Sequence, residues 1–148
     1  MYPLRRRPLA PISAPAAVAE RQDPGAQRIL VVEDNDCLRA VAVRTLSARG
    51  YAVAEARHGE DALRVIEETA EPFDLVVTEM IMPVMSGYKL GRRLARQRPG
   101  LPVLYLSAAV NETLTPLGPA SARTRFLRKP FVPDDLVRHV TQSLRAPV

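Results

Sequence analysis

From residue 28 onward, short runs of apolar residues alternate with longer stretches in which apolar residues recur every three or four positions. Runs of the first kind, such as Ile29 to Val32, are typical of strands that are covered on both faces, as in a parallel sheet. Stretches of the second kind, such as the one after Asn35, are typical of helices that pack one face against a sheet. The alternation therefore predicts an α/β fold in which helices connect parallel strands.

The pattern predicts five strands and five helices. We expect strands at residues 29–32, 51–56, 75–78, 103–106 and 125–127. We expect helices between Asn35 and Gly50, at 59–71, at 87–98, within 111–122 and at 133–145. The first helix has its apolar positions at Leu38, Val41, Ala42, Thr45 and Leu46. The fourth helix is expected to be short or frayed, because Pro116, Gly118 and Pro119 interrupt it.

Residues 1 to 27 have a different composition, dominated by proline, alanine and arginine. The prolines exclude a sustained helix or strand, so we expect a disordered arm ahead of a single domain at residues 28–148. A secretory signal is the alternative, because Arg5 to Arg7 precede the cleavage-like Ala17-Val18-Ala19. The stretch between them has few large apolar residues and is broken by prolines, which favours an arm, a linker or a mis-assigned start.

Composition narrows the class of protein. The chain has 148 residues, a formal net charge of +5 and one cysteine, Cys37, which cannot form an internal disulfide. It contains no apolar run near the roughly 20 residues of a membrane span. These features are typical of a single cytoplasmic domain without a membrane contact. The positive charge is spread over the chain without a basic stripe or interleaved aromatics, so we expect no direct nucleic-acid partner.

Polar side chains directly follow four of the predicted strands. Glu33 and Asp34 follow the first strand, Glu79 the third, Ser107 the fourth, and Lys129 comes shortly after the fifth. In open α/β sheets, ligands bind beyond the carboxyl ends of the strands. Neighbouring carboxylates repel each other unless a cation lies among them, and their oxygens suit Mg²⁺. A lysine and a hydroxyl beside that ion are groups that hold phosphoryl oxygens.

With their surroundings, these residues resemble the receiver domain of two-component response regulators. The resemblance rests on Glu33-Asp34, the run from Asp74 to Gly87, Leu106-Ser107-Ala108 and Lys129-Pro130-Phe131. The four motifs follow one another at the expected strand ends, and together they are far more specific than any one of them. The resemblance spans residues 28 to about 145. It implies a doubly wound five-stranded parallel sheet in the order 2-1-3-4-5, the flavodoxin-like fold.

The resemblance also implies a metal site and a switch. Glu33 and Asp34 would hold Mg²⁺ together with Glu79 and the backbone carbonyl of Ile81. Ser107 would contact the phosphoryl group and Lys129 would form an ion pair with it. Ser107 and Phe126 would be the switch residues, and the Lys129–Pro130 peptide bond would be cis.

A receiver is a signalling module of a phosphorelay and not an enzyme. The resemblance therefore implies a sensor histidine kinase or a phosphotransfer protein as the phosphate donor and an unknown downstream protein partner. It also implies a homodimer face formed by the fourth helix, the fifth strand and the fifth helix. A stand-alone receiver and a fragment of a larger regulator or hybrid kinase are both open.

The chain departs from the family at the phospho-acceptor. The family has an aspartate three residues before the Met-Pro, and this chain has Glu79. The longer side chain advances the carboxylate by about 1.5 Å. A misplacement of about 1 Å can cost roughly a hundredfold in a positioned reaction, so we expect phosphate acceptance to be impaired. Glu79 is also a candidate mimic of the phosphorylated state, with about one negative charge where a phosphate carries nearly two.

Several alternatives stay open. An engineered or recent Asp-to-Glu change is favoured by the intact remaining motifs, and a natural pseudo-receiver that works without phosphorylation is the other origin. Glu33 and Asp34 could simply cap a helix, Ser107 end a strand, Lys129 lie in solvent and Phe126 fill the core. For the whole chain, a small nucleotide-binding α/β protein is the alternative, although no glycine-rich phosphate loop follows the first strand. A DNA-binding protein is disfavoured because no recognition helix is identifiable.

Overall fold

A computed structural model describes residues 25–108 and 123–145. The strands in these residues are β1 (Arg28–Val32), β2 (Ala52–Ala56), β3 (Leu75–Glu79), β4 (Val103–Ser107) and β5 (Thr124–Arg128). The helices in the same residues are α1 (Asp36–Ser47), α2 (Gly59–Glu68), α3 (Gly87–Gln97) and α4 (Pro133–Arg145). The arm expected at residues 1–27 falls mostly outside the described residues, and the helix expected within 111–122 lies entirely outside them.

The strands form one parallel sheet in the order β2-β1-β3-β4-β5. This confirms the expected doubly wound, flavodoxin-like fold. β3 and β4 are buried along their whole length, as expected for apolar runs that are covered on both faces. The order makes β1 and β3 neighbours at the centre of the sheet, so the residues that end these two strands lie side by side.

The core has one layer on each side of the sheet. Alternate residues of a strand point to opposite faces, so Leu30 and Val76 belong to one layer and Ile29 and Leu75 to the other. The first layer packs against α2 and α3, and the second packs against α1 and α4. These two layers fix the strands so that their carboxyl ends form one rigid edge.

The observed bounds differ from the predicted ones mainly at the ends of elements. β3 extends to Glu79 and β4 to Ser107, so both polar residues are the last residues of strands and not the first residues of loops. α2 ends at Glu68, three residues earlier than expected, because Thr69 adopts an extended conformation. The Thr69 hydroxyl donates to the Val65 carbonyl at 2.6 Å, which satisfies a carbonyl at the end of the helix.

Helix α1 is rotated relative to the apolar stripe that its sequence suggests. Ala42 and Leu46 are buried as the spacing implies, but Leu38 and Val41 are 48% and 50% exposed. Arg39 is buried in their place, with 7% exposure. The Arg39 guanidinium has hydrogen-bond acceptors around the start of the helix, and these contacts keep Arg39 on the buried side of α1.

No helix in the described ranges is long and apolar enough to cross a membrane.

Candidate functional site

Three of the predicted site residues meet at the carboxyl edge of the sheet. The Lys129 Nζ donates to Glu33 Oε2 at 3.1 Å and forms an ion pair with Glu79 Oε2. Glu33 follows β1, Glu79 ends β3 and Lys129 follows β5. One ammonium group thus joins two carboxylates that come from neighbouring strands.

Burial makes these charges depend on each other. Glu33 is 3% exposed and Glu79 is 8% exposed. Burial raises the pKa of Glu33, while hydrogen bonds from the Asn35 backbone and from Lys129 oppose that rise. Burial lowers the pKa of Lys129, but its hydrogen bonds to Glu79 and Glu33, together with their charges, outweigh burial and raise it. Lys129 therefore stays cationic between the two buried carboxyl groups.

The remaining predicted metal ligands surround this group without closing on it. Asp34 is exposed. The Ile81 backbone N–H donates to Glu79 Oε1 at 3.4 Å. Within residues 25–108 and 123–145, no three His, Cys, Asp or Glu side chains are grouped closely enough to hold a metal ion. Lys129 supplies the positive charge between Glu33 and Glu79, so the three-carboxylate arrangement expected from the sequence is not assembled in this structure.

The donor chemistry still fits a hard divalent cation. Glu33 and Asp34 offer carboxylate oxygens, and the loop after β3 offers backbone carbonyls. Oxygen donors of this kind are the ligands that Mg²⁺ takes in proteins.

Ser107 lies next to this group at the end of β4. It is 2% exposed, and its carbonyl accepts a hydrogen bond from the Lys129 backbone N–H at 2.9 Å. The following Lys129–Pro130 peptide bond is cis, as the resemblance implied. The end of β4 therefore fixes the backbone from which the Lys129 side chain extends.

Phe126 lies on β5, opposite Tyr105 of β4. Their rings stack with centroids 5.4 Å apart and an interplanar angle of 22°. Tyr105 is buried, and burial raises its pKa to about 12. A Cβ on Gly91 of α3 would lie 1.6 Å from the Tyr105 hydroxyl, so this glycine makes room for the ring. Sequence reasoning missed Tyr105, because its relation to Phe126 depends on the register of β4 and β5.

The loop between β3 and α3 is held tightly against the site. The Gly87 N–H donates to the Met80 carbonyl at 2.9 Å, and a Cβ on Gly87 would lie 1.8 Å from the Glu79 carbonyl oxygen. Only glycine allows this approach. Val84 in the same loop has a φ of +68°, a conformation that β-branched residues rarely adopt. Backbone strain of this kind is often found beside functional sites.

Apolar side chains are exposed around the edge that carries the acidic group. We call this set the site rim: Leu38 and Val41 of α1, Ile81 and Val84 after β3, and Val132 after β5. A groove of about 360 Å³ runs between α1 and α4, with Lys129 and Glu33 at one end. Large apolar residues that cluster around a polar centre are typical of a surface that contacts another protein.

Comparison with known proteins gives a consistent result. Residues 29–141 match the family model of the response regulator receiver domain. The chain is 35% identical over 137 residues to the sensor kinase CckA of Brucella abortus, a match that covers 91% of this chain and 14% of that kinase. It is 33% identical over 120 residues to the response regulator receiver protein CpdR of the same organism, covering 81% of this chain and 98% of CpdR.

The fold agrees with solved structures. The chemotaxis response regulator CheY4 of Vibrio cholerae superimposes with a TM-score of 0.71 at 28% sequence identity. That alignment covers 80% of this chain and 98% of CheY4. The chain thus spans a small part of one relative and nearly the full length of two others.

Proposed function

Because this chain belongs to the family of response regulator receiver domains, we propose that it is a receiver module whose phospho-acceptor position is occupied by Glu79. The observation that supports this most strongly is the buried ion pair between Glu79 and Lys129, which Glu33 shares. In this proposal the module signals through protein contacts. The carboxylate of Glu79 takes the place of the signal that a phosphoryl group would bring.

Glu79 is a poor phosphate acceptor in this proposal. Its Oε2 is paired with Lys129, its Oε1 accepts from the Ile81 N–H at 3.4 Å, and the residue is 8% exposed. An acceptor oxygen has to reach an incoming phosphorus atom in line, and errors on the order of 1 Å reduce such reactions strongly. Both oxygens of Glu79 are already engaged, so the chain should accept little phosphate.

Glu79 is instead a partial mimic of the phosphorylated state. Lys129 is the group that would pair with an incoming phosphoryl oxygen, and it already holds a carboxylate. A carboxylate carries about one negative charge where a phosphate carries nearly two, so the imitation is incomplete. We propose that the pairing partly shifts Ser107 and Phe126 toward their activated arrangement.

Glu33, Asp34, Glu79 and the Ile81 carbonyl are the residues that would hold Mg²⁺. The ion would neutralise charge on phosphoryl oxygens when bound. Ser107 would offer its hydroxyl to a phosphoryl oxygen, and the tightly packed Gly87 turn would keep the loop after β3 in place.

The proposed partner is a sensor histidine kinase or a phosphotransfer protein in the cytoplasm. The site rim and the apolar groove beside Lys129 support this, because amphipathic helices of partner proteins dock their apolar faces into apolar grooves. β5 and α4 provide the described part of the proposed homodimer face.

A phosphorylation-independent interaction module is the second candidate function. The favouring observation is that Lys129 already has two carboxylate partners without any phosphoryl group. Such a module would keep the site rim as its contact surface and would not change with a phosphodonor.

Phosphate acceptance tests the proposal directly. The chain, its Glu79→Asp variant and a Glu60→Asp control are treated with acetyl phosphate and Mg²⁺, and acylphosphate is measured by intact mass. We expect stable labelling of Glu79→Asp alone, since Glu60 is an exposed residue in the first turn of α2 and takes no part in the contacts that join Glu79, Glu33 and Lys129. Equal labelling of the unchanged chain would contradict the proposed role of Glu79. No labelling of Glu79→Asp would favour the phosphorylation-independent module.

A further inference from the structure

Arg39 is a buried charged residue with no role in the proposed site. Its side chain is 8% exposed in the first half of α1. The Nη1 group donates to the Glu33 carbonyl at 2.9 Å, the Nη2 group to Asp36 at 2.6 Å and the Nε group to Glu55 at 3.3 Å. One guanidinium therefore joins the loop after β1, the first turn of α1 and the end of β2.

These three contacts differ in kind. The side chains of Asp36 and Glu55 are 81% and 54% exposed, and ion pairs with exposed partners contribute little to stability. The contact with the Glu33 carbonyl is buried, where a hydrogen bond matters more because water cannot replace it. What Arg39 holds in the interior is thus the backbone of an acidic residue of the site.

The loop is also tied from other directions. The Glu33 N–H donates to the Ala56 carbonyl at 3.1 Å, and the Asn35 N–H donates to Glu33 Oε1 at 3.2 Å. With Arg39 on the Glu33 carbonyl, both peptide groups of Glu33 have partners in the folded chain. Asp34 is exposed and directly follows Glu33, so these bonds hold the backbone that leads into it.

We propose that Arg39 is a positioning residue for the Glu33–Asp34 pair, whose backbone it holds in place at the carboxyl edge of the sheet. The inference rests on the proposed Mg²⁺ site. Arg39 acts through the backbone of Glu33 and takes no part as a ligand. In metal sites generally, removing a residue that holds a metal ligand in place lowers metal affinity by about 10- to 100-fold.

The sign of the effect separates positioning from simple electrostatics. Arg39 is a cation close to the acidic pair, so its charge alone repels Mg²⁺. Replacing it with an apolar residue would therefore strengthen Mg²⁺ binding if charge were all that mattered. A positioning role predicts the opposite, a loss of affinity despite the removal of a positive charge.

The test compares Mg²⁺ binding by the full chain and four variants, using calorimetry and amide shift titration. Arg39→Met removes the guanidinium, and Arg39→Lys keeps the charge but cannot reach three acceptors from one ammonium. Glu55→Gln weakens an ion pair and leaves the bond to the Glu33 carbonyl. Arg64→Met is the matched control, because Arg64 pairs with two acids on the exposed face of α2.

We expect Arg39→Met and Arg39→Lys to bind Mg²⁺ about tenfold more weakly, with Glu55→Gln and Arg64→Met within about twofold of the unchanged chain. Circular dichroism checks that each variant is folded. An Arg39→Met variant that binds Mg²⁺ equally or more tightly would overturn the inference. A tenfold loss in Arg64→Met would overturn it as well, since the effect would then be non-specific.

A second measurement works without metal. Hydrogen exchange of the Glu33 and Asn35 amides should accelerate about tenfold in Arg39→Met, while the Asp61 N–H, which donates to Nδ1 of His58 at the start of α2, keeps its rate. Unchanged exchange at both amides would overturn the inference. If no form of the chain binds Mg²⁺, the proposed metal site is wrong, and the exchange rates alone decide whether Arg39 holds the loop.

Discussion

Lys129 is the cation on which the buried acidic group depends, and Lys129→Met tests that dependence. At an effective dielectric constant of about 20, charges 3.1 Å apart attract by about 5 kcal/mol. The free-energy cost of removing both charges from water offsets much of that attraction. Breaking a fully buried pair costs about 3–5 kcal/mol. The Lys129 side chain is 21% exposed, which reduces the expected loss to about 2 kcal/mol near pH 7.5.

The loss should depend on pH. Burial raises the pKa of Glu33 above its ordinary value of 4.5, so the folded chain holds this proton more tightly than the unfolded chain does. Ionisation of Glu33 therefore lowers the free energy of unfolding as pH rises above 4.5. The decrease ends once the pH has passed the pKa of Glu33 in the folded chain. Removing Lys129 removes a hydrogen bond and a charge that lower this pKa, so the window extends to higher pH in the variant.

Urea unfolding followed by circular dichroism near pH 5 and near pH 7.5 measures this effect. We expect Lys129→Met to be destabilised more near pH 7.5 than near pH 5. Lys89→Met is the matched control, because Lys89 is the other lysine of the chain and is exposed. It should change stability by less than about 0.5 kcal/mol at both pH values. Equal destabilisation of Lys129→Met at the two pH values would refute the reasoning.

Three further predictions concern the surroundings of the site, each measured by urea unfolding. Gly91→Ala should destabilise the chain by more than about 1 kcal/mol and should be partly rescued in a Tyr105→Phe background, because the added Cβ meets the hydroxyl most closely, while the ring carbon Cζ at 2.8 Å remains; additive effects would contradict this. Val84→Asn should stabilise the chain by about 1 kcal/mol, because asparagine adopts a positive φ at a lower energetic cost than valine, and a loss of stability would contradict the inference that Val84 is strained. Gly87→Ala should cost more than about 2 kcal/mol, whereas Gly100→Ala, which meets only an arginine tip at 3.7 Å, should be nearly neutral.

The fold could be predicted from the sequence because its strands are buried on both faces. In a small α/β domain, an apolar run such as Leu75 to Thr78 is accommodated best as a buried strand. The proline and two acids at the start of the final helix mark where that helix begins. The ends of the elements were harder to place. Glu79 and Ser107 continue their strands because ladder hydrogen bonds extend past the apolar run, and a hydrophobic pattern does not record those bonds.

The site could be predicted only in part. The strand ends were enough to bring Glu33, Glu79 and Lys129 together. The position of Lys129 between the two glutamates depends on side-chain geometry that spacing does not describe. Arg39 was missed because a charged residue on an amphipathic helix is normally expected to face water, and its acceptors come from β2 and from a backbone carbonyl.

The central claim is that Glu79 acts as a partial mimic of a phosphorylated acceptor through Lys129. The most direct measurement compares the NMR shifts of the Ser107 amide and the Phe126 ring in three forms: the unchanged chain, Glu79→Asp, and Glu79→Asp with beryllofluoride bound. We predict that the unchanged chain lies between the other two, and that Lys129→Met moves it toward free Glu79→Asp. Shifts that match free Glu79→Asp in the unchanged chain would contradict the claim and show that the glutamate only inactivates the switch.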